Sequence, residues 1–353
     1  MSGYWNQKTC GLDPYTPGEQ PKEKMIKLNT NENPLPPGEM VLAAMKEAAN
    51  GDMRLYPDPE SRALREVFAD YAQVAPENVF VGNGSDEVLA FAFDAFFQPG
   101  KPVLFPDISY SFYPVYCKHY GLDYQQVPLK EDFTVAVADY DGENGGIVIT
   151  NPNAPTGIAL SRREIEDIVK RNPAVVVVID EAYVRFGAES AVPLIEKYPN
   201  LLVVQTMSKS HSLAGLRVGF AIGSPELIEG LNRVKDSFNS YPVDRIAQAG
   251  AIASLKDVET VEANLNTVRA VREGVSVALR GIGFDVLPAK TNFIMIRYWN
   301  CPAEELFQYL RSQKILVRHF DLPRISDYLR VTIGSKEDMR IFLDTVEEYI
   351  EKR

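Results

Sequence analysis

Two spacings of apolar residues alternate along most of the chain. Residues 41–50, 61–73, 86–97 and 161–171 carry apolar side chains three and four positions apart, the spacing that lines one face of an α-helix. Between and after them lie short unbroken apolar runs: VFVG at 79–82, PVLFP at 102–106, GGIVIT at 145–150, AVVVVIDEAY at 174–183, LLVVQTM at 201–207 and RVGFAIG at 217–223. Runs of this kind, rich in Val and Ile, predict strands covered on both faces in a mostly parallel sheet. A helical stretch at 257–280 follows and reads as a connector. Beyond it, strands are expected at 291–298, 315–320 and 328–334 and helices at 302–313 and 336–353, an α+β pattern. The expected fold class is α/β: a large domain with a mostly parallel sheet flanked by helices, plus a smaller α+β domain.

The first 35 residues break both spacings. Their Pro, Gly and Asn content (PYTPGEQPKEK, then LNTNENPLPPGE) predicts an extended arm that packs on the small domain or on a partner subunit. This leaves 36–256 as the large domain and 257–353, with the connecting helix, as the small one. A chain of 353 residues, 45% hydrophobic and 24% charged, can bury cores of that size. Its formal net charge of −11 repels nucleic-acid phosphates and anionic membranes, so neither is expected as a partner. No apolar run approaches the roughly 20 residues of a membrane helix, and the opening lacks the basic-then-apolar order of a signal peptide. A cytoplasmic location is the expectation. Cys10, Cys117 and Cys301 are odd in number and far apart, and His119, His211 and His319 share no ligand spacing, so no disulfide framework and no metal are expected.

In open α/β sheets ligands sit beyond the carboxyl ends of the strands, so the polar residues that follow the apolar runs carry the candidate chemistry. Gly82-Asn83-Gly84-Ser85-Asp86-Glu87 joins a strand to a helix; its glycines allow close backbone approach, Ser85 could cap the helix, and free N–H groups there suit a phosphate. The motif is not a dinucleotide fingerprint, because Glu87 stands where a third glycine would be needed. Asn151-Pro152-Asn153-Ala154-Pro155-Thr156-Gly157 holds two amides on a constrained turn. Asp180-Glu181-Ala182-Tyr183 places a carboxylate at the end of a buried run, where it needs a positive partner: a protonated ring nitrogen or a neighbouring Arg. Ser208-Lys209 ends LLVVQTM and is followed by Arg217. A lysine in such a cleft can lose its proton and form imines, although most lysines are solvated surface groups. Arg318 and Arg330 place two guanidiniums on neighbouring strands, where they either bind carboxylate or phosphate or stand as exposed charges.

Glycine turn, Asn-Pro turn, Asp-x-x-Tyr, Ser-Lys and then Arg is the order found in pyridoxal-phosphate enzymes of the aspartate-aminotransferase fold. Within that fold the chain most resembles the histidinol-phosphate aminotransferase family, through LNTNENP, RLYPDP, GNGSDE, ISYSFYPVY, NPNAPTG, IDEAY, TMSKSHSLAGLRVGFAIG, TNFIMI and LRVTIG, spanning nearly the whole chain. Ala154 stands where the family often has Asn, and His211 where Phe is common. The resemblance implies a homodimer, pyridoxal 5'-phosphate as cofactor, and a transamination of L-histidinol phosphate with 2-oxoglutarate. It implies Lys209, Asp180 and Tyr183 as catalytic residues: Lys209 bonds to the cofactor and moves the proton, Asp180 keeps the ring nitrogen protonated, and Tyr183 with Asn153 hydrogen-bonds the phenolic oxygen. Tyr110 would stack on the ring. Ser85, Asp86, Ser208, Arg217 and, from a second subunit, Tyr56 would hold the phosphate. Tyr15, Asn153, Arg318 and Arg330 would bind substrate. The same motifs also serve an aromatic amino-acid aminotransferase and a threonine-phosphate decarboxylase; a pyridoxal-phosphate regulator would need a DNA-binding domain.

Overall fold

The computed structural model describes residues 3–352. The arm supplies β1 (Ile26–Lys27). Then β2 (Val79–Gly82), β3 (Val103–Pro106), β4 (Tyr124–Val127), β5 (Gly146–Thr150), β6 (Val177–Asp180), β7 (Leu201–Thr206) and β8 (Gly219–Ile222) form one sheet of order β2-β8-β7-β6-β5-β3-β4. Only β8 runs against its neighbours. Every residue of β5, β6 and β7 is buried, and alternate residues enter different cores. Ile147, Ile149, Val177, Ile179, Leu201 and Val203 share one, and Val148, Val178, Leu202 and Val204 the other. That two-residue alternation, covered on both sides, is why these strands read as unbroken apolar runs.

Helices α1 (Gln7–Cys10), α2 (Glu39–Ala48), α3 (Arg62–Ala72), α4 (Ser85–Phe96), α5 (Tyr113–Tyr120), α6 (Arg162–Arg171), α7 (Met207–Ser210), α8 (Pro225–Phe238) and α9 (Arg245–Lys256) accompany this sheet in the chain. α6 begins in a capping box, Ser161 with Glu164. The expected connector is α10 (Val258–Gly281), and it also packs: Val261, Leu265, Val268, Arg272, Val275 and Leu279 are buried at steps of four and three. They join a third core with α11 (Ala303–Ser312) and α12 (Lys336–Glu351). The second sheet has the order β12-β13-β10-β9, from β9 (Asp285–Val286), β10 (Phe293–Arg297), β12 (Arg318–His319) and β13 (Leu329–Thr332), with β11 (Ile315–Leu316) set apart.

The strand expected at 315–320 is two. β11 pairs in parallel with β1 of the arm, whereas β12 pairs with β13, so the break at Val317 marks the change from one partner to another. β4, α5, α8 and α9 have no counterpart in the apolar patterns. Three of the four β4 residues are exposed, as befits an edge strand, and α9 buries mainly Ala, Gly and Ser, which leave little periodic contrast.

Candidate active site

β5, β6 and β7 end side by side, with Asp180 the register partner of both Thr150 and Val204. Beyond these ends lies a cavity of about 530 Å³, roofed by the arm and by β12 and β13. All the predicted site residues line it except Asn153 and Tyr56.

Asp180 is buried. Its carboxylate accepts hydrogen bonds from Tyr113 Oη (2.9 Å) and the Ala182 amide (3.2 Å). Among the described residues no Lys or Arg ion-pairs with it, and burial pushes its pKa up to about 6. The Arg-paired reading of Asp180 is thereby excluded. Neighbouring Glu181 is also buried, but its carboxylate accepts from the Ala191 amide, Ser190 Oγ and Gln205 Nε2, so it braces the 190–191 turn.

Lys209 sits on α7, a single turn in which the Ser208 amide donates to the capping Thr206 side chain. Its Nζ donates to the Thr30 carbonyl of the arm (3.1 Å), and its own carbonyl accepts from Asn33 Nδ2 (3.0 Å). Burial first, and Arg330 second, push its pKa down to about 8. Lys209 is thus an enclosed amine poised near neutrality, not a solvated surface charge. His211, two residues on, is buried, hydrogen-bonds Ser254 Oγ through Nδ1 (2.9 Å), and is pushed down to about 3 by burial and Arg185, so it stays neutral.

The glycine turn and Arg217 form a cup. Arg217 takes a left-handed backbone (φ 54°), and its guanidinium donates to Asp86 Oδ2 (3.0 Å) and lies 3.5 Å from Ser208 Oγ. A Cβ on Gly84, itself at φ 84°, would come within 2.5 Å of Arg217 Nη2; one on Gly219 would lie 2.2 Å from the Ser85 amide. Only glycine fits at either place. Ser85 opens α4 but does not cap it: the cap is Gly84, with no side-chain hydrogen bond. The first amides of α4 therefore have no partner within the helix and suit an anion. Tyr110 flanks the cup, its hydroxyl donating to Asp86 Oδ1 (2.8 Å).

Arg318 and Arg330 are register partners across β12 and β13, with Phe320 beneath both guanidiniums at 5.3 and 5.4 Å. Arg330 Nη2 donates to the Asn29 carbonyl (2.8 Å), while its buried Nε has no partner. Among the described residues no carboxylate ion-pairs with either. Two unpaired guanidiniums facing one cavity call for an anionic ligand. Tyr15 of the arm packs on Phe112 (4.8 Å between centroids) and meets Tyr110 edge-on.

Asn153 is placed differently from expectation, and Tyr56, expected to act from a second subunit, stands outside this cavity. Asn153 is buried behind the wall, and Nδ2 donates to the Ile108 carbonyl and Thr156 Oγ1, both at 3.0 Å, leaving Oδ1 without a partner. As oriented it offers an acceptor, not the expected donor, because both amide hydrogens are engaged. Tyr56 is 78% exposed, stacks on Tyr241 and lies outside this chain's own cavity. Sequence reasoning missed Tyr113, Thr30 and Asn31; the only signals were the tyrosines of ISYSFYPVY and the asparagines of LNTNENP.

Residues 23–346 match the family described as "Aminotransferase class I and II". The chain belongs to that family. It is 54% identical over 353 residues, the full length of both proteins, to the histidinol-phosphate aminotransferase of Clostridium botulinum strain 657, and 54% identical over 339 residues (96% of this chain, 95% of the relative) to histidinol-phosphate aminotransferase 1 of Hydrogenovibrio crunogenus. In fold it is similar to the histidinol-phosphate aminotransferase of Sinorhizobium meliloti solved in complex with pyridoxal-5'-phosphate, with a TM-score of 0.90 and 23% identity over 100% of this chain and 99% of that one.

Class I and II aminotransferases work with pyridoxal phosphate, and the cavity fits that group. A buried carboxylate without a cation matches a protonated ring nitrogen. The glycine-bounded cup with Arg217 matches a phosphate, and the enclosed Lys209 a covalent attachment. Among the described residues no three His, Cys, Asp or Glu side chains converge on a metal position, and no helix is long and apolar enough to cross a membrane.

Proposed function

We propose that this aminotransferase moves the amino group of L-histidinol phosphate to 2-oxoglutarate, giving imidazole acetol phosphate and L-glutamate in histidine biosynthesis. The observation that carries the reading is the cross-strand pair Arg318 and Arg330, unpaired by carboxylates and lining the same cavity as Lys209. A phosphate dianion engages two guanidinium forks, and a carboxylate of 2-oxoglutarate takes the same place in the second half of the reaction. The names of the full-length relatives agree with this choice.

Pyridoxal phosphate, when bound, supplies a ring that absorbs the negative charge left as a proton leaves the substrate carbon. Asp180 holds the proton on the ring nitrogen, which keeps that sink strong, and the new ion pair offsets the cost of burying its carboxylate. Lys209 Nζ, with its pKa near 8, would take the proton from the substrate carbon and carry it to the cofactor carbon on the far side of the shared nitrogen. Tyr183 would donate to the phenolic oxygen, and Asn153 would join it only by releasing one of the amide hydrogens now given to Ile108 and Thr156. Tyr110 would cover one ring face. The Ser85 and Asp86 amides, Ser208 Oγ and Arg217 would hold the phosphate. Tyr15 closes the substrate side.

We further infer a homodimer. Met53, Leu55 and Tyr56 in one segment and Phe238 and Tyr241 in another are large apolar side chains left exposed, and the two segments meet where Tyr56 stacks on Tyr241. Such a patch suits a second copy, whose cofactor phosphate Tyr56 would reach. The arm (1–35), the large domain (36–256) and the small domain (257–353) then act as lid, cofactor holder and substrate clamp. Three free cysteines, with Cys10 exposed, fit the reducing cytoplasm.

The test is a steady-state comparison of histidinol phosphate, phenylalanine and threonine phosphate as substrates. Histidinol phosphate should give the highest kcat/KM. A higher value for phenylalanine would move the assignment to an aromatic aminotransferase, and carbon dioxide release from threonine phosphate to a decarboxylase.

A further inference from the structure

The arm residue Asn31 has all of its polar groups engaged, with three different residues around the site. Its backbone N–H donates to Thr332 Oγ1 (3.0 Å), its Oδ1 accepts from that same hydroxyl (3.0 Å), its carbonyl accepts from Asn292 Nδ2 (2.9 Å), and its Nδ2 donates to Tyr183 Oη (2.9 Å). Asn31 and Tyr183 are both buried, and Asn31 takes a left-handed backbone at φ 56°. The donors run in one direction. Because Thr332 Oγ1 receives the Asn31 amide, its own proton is free for Oδ1, which turns Nδ2 toward Tyr183.

A phenol oxygen that accepts from an amide keeps its own hydrogen for another acceptor. Tyr183 has no other partner for that hydrogen among its described hydrogen bonds, and its ring lines the cavity with Lys209 and Asp180. The ring itself is held by an edge-on contact with Phe293 at 5.1 Å. We propose that Asn31 is a positioning residue that fixes the direction of the Tyr183 proton, aiming it into the cavity at the phenolic oxygen of the bound cofactor. The proposal rests on the reading of Tyr183 given above. It makes the arm, through one amide, part of the proton arrangement at the reacting centre.

The consequence is spectroscopic. A donor on the phenolic oxygen favours the form in which that oxygen is anionic and the lysine-linked nitrogen has lost its proton. Losing the donor therefore raises the pH midpoint of the visible absorbance of the cofactor-loaded enzyme. Tyr183→Phe should raise it by about one unit or more. Asn31→Asp preserves size and tolerates the left-handed backbone, but its carboxylate captures the tyrosine proton. It should raise the midpoint to a similar extent. Asn31→Gly, also at ease at positive φ, deletes the amide and should raise it by less.

In the Tyr183→Phe background, Asn31→Gly should add no further shift, since the two act through one hydrogen bond. A merely structural role would lower the melting temperature and leave the midpoint in place. An Asn31→Gly enzyme with an unchanged midpoint, beside a Tyr183→Phe enzyme whose midpoint rises, would overturn the proposal and leave the Tyr183 reading standing. An unchanged midpoint in Tyr183→Phe itself would overturn both. Should Asn31→Asp fail to fold, the glycine variant decides.

Discussion

Asp180 and Lys209 are both enclosed at the strand ends, yet burial moves their proton affinities in opposite senses, and the two therefore tilt stability in opposite ways. The Asp180 pKa rises from 3.8 to about 6 in the folded protein, so the folded state binds more protons than the unfolded chain between those values and stability falls as pH rises through that window. In the cofactor-free protein, Asp180→Asn lacks that penalty. Its stability relative to wild type should improve by on the order of 2–3 kcal/mol between pH 4 and pH 7, read from denaturant unfolding at both values. Lys209 moves from 10.5 to about 8, so its penalty is present below pH 8 and lifts between about 8 and 10.5. With cofactor, Asp180→Asn should still bind but lose most of its proton-transfer rate in single-turnover measurements; near-normal half-reactions would exclude the role. Lys209→Ala should lose the yellow absorbance of the protein–cofactor linkage, and borohydride fixing the cofactor to another lysine would refute the assignment.

At the scale of elements, the cup between β2, α4 and β8 depends on the absence of two Cβ atoms. Gly84→Ala places a methyl 2.5 Å from Arg217 Nη2 on a backbone that disfavours it, so the guanidinium must move. Cofactor affinity should fall at least tenfold, about 1.4 kcal/mol, in an absorbance titration, with a smaller change in melting temperature. The buried stripe of α10 contains one charged member, Arg272, whose Nη1 donates to the carbonyls of Phe186 and Thr291 at 2.9 and 2.8 Å. It ties the segment after β6 to the entry of β10. Arg272→Leu leaves both buried carbonyls without that donor and should cost roughly 2–4 kcal/mol in chemical denaturation.

At the scale of the whole molecule, the arm and the second sheet close over the ends of the first, and the partner subunit is proposed to complete the cup. Co-expression of Tyr56→Phe chains with Lys209→Ala chains tests that completion. Mixed dimers can assemble one site free of both changes, so activity should exceed that of Tyr56→Phe alone, and no gain would exclude the trans contact. The clamp is tested by Arg318→Ala, which should lower kcat/KM for histidinol phosphate roughly 30-fold or more while affecting phenylalanine far less. Equal losses on both substrates would favour a general carboxylate site.

The apolar runs of β5, β6 and β7 and the polar residues that end them were legible in the sequence because strand burial and strand-end chemistry are local: a run of Val and Ile followed by Asn, Asp or Lys needs no knowledge of distant partners. The same holds for the glycine turn and for the amphipathic helices. Tertiary structure alone decided what depends on which distant segments meet. It set Arg318 opposite Arg330, split 315–320 between the arm and β13, surrounded Asp180 with a tyrosine and not an arginine, turned the Asn153 amide toward Ile108, and brought Asn31 to Thr332, 301 positions away, and to Tyr183. An asparagine in an extended arm carries no periodicity to announce its partners. Its meaning arises only when folding removes water from around it and obliges each of its polar groups to find a partner in the protein.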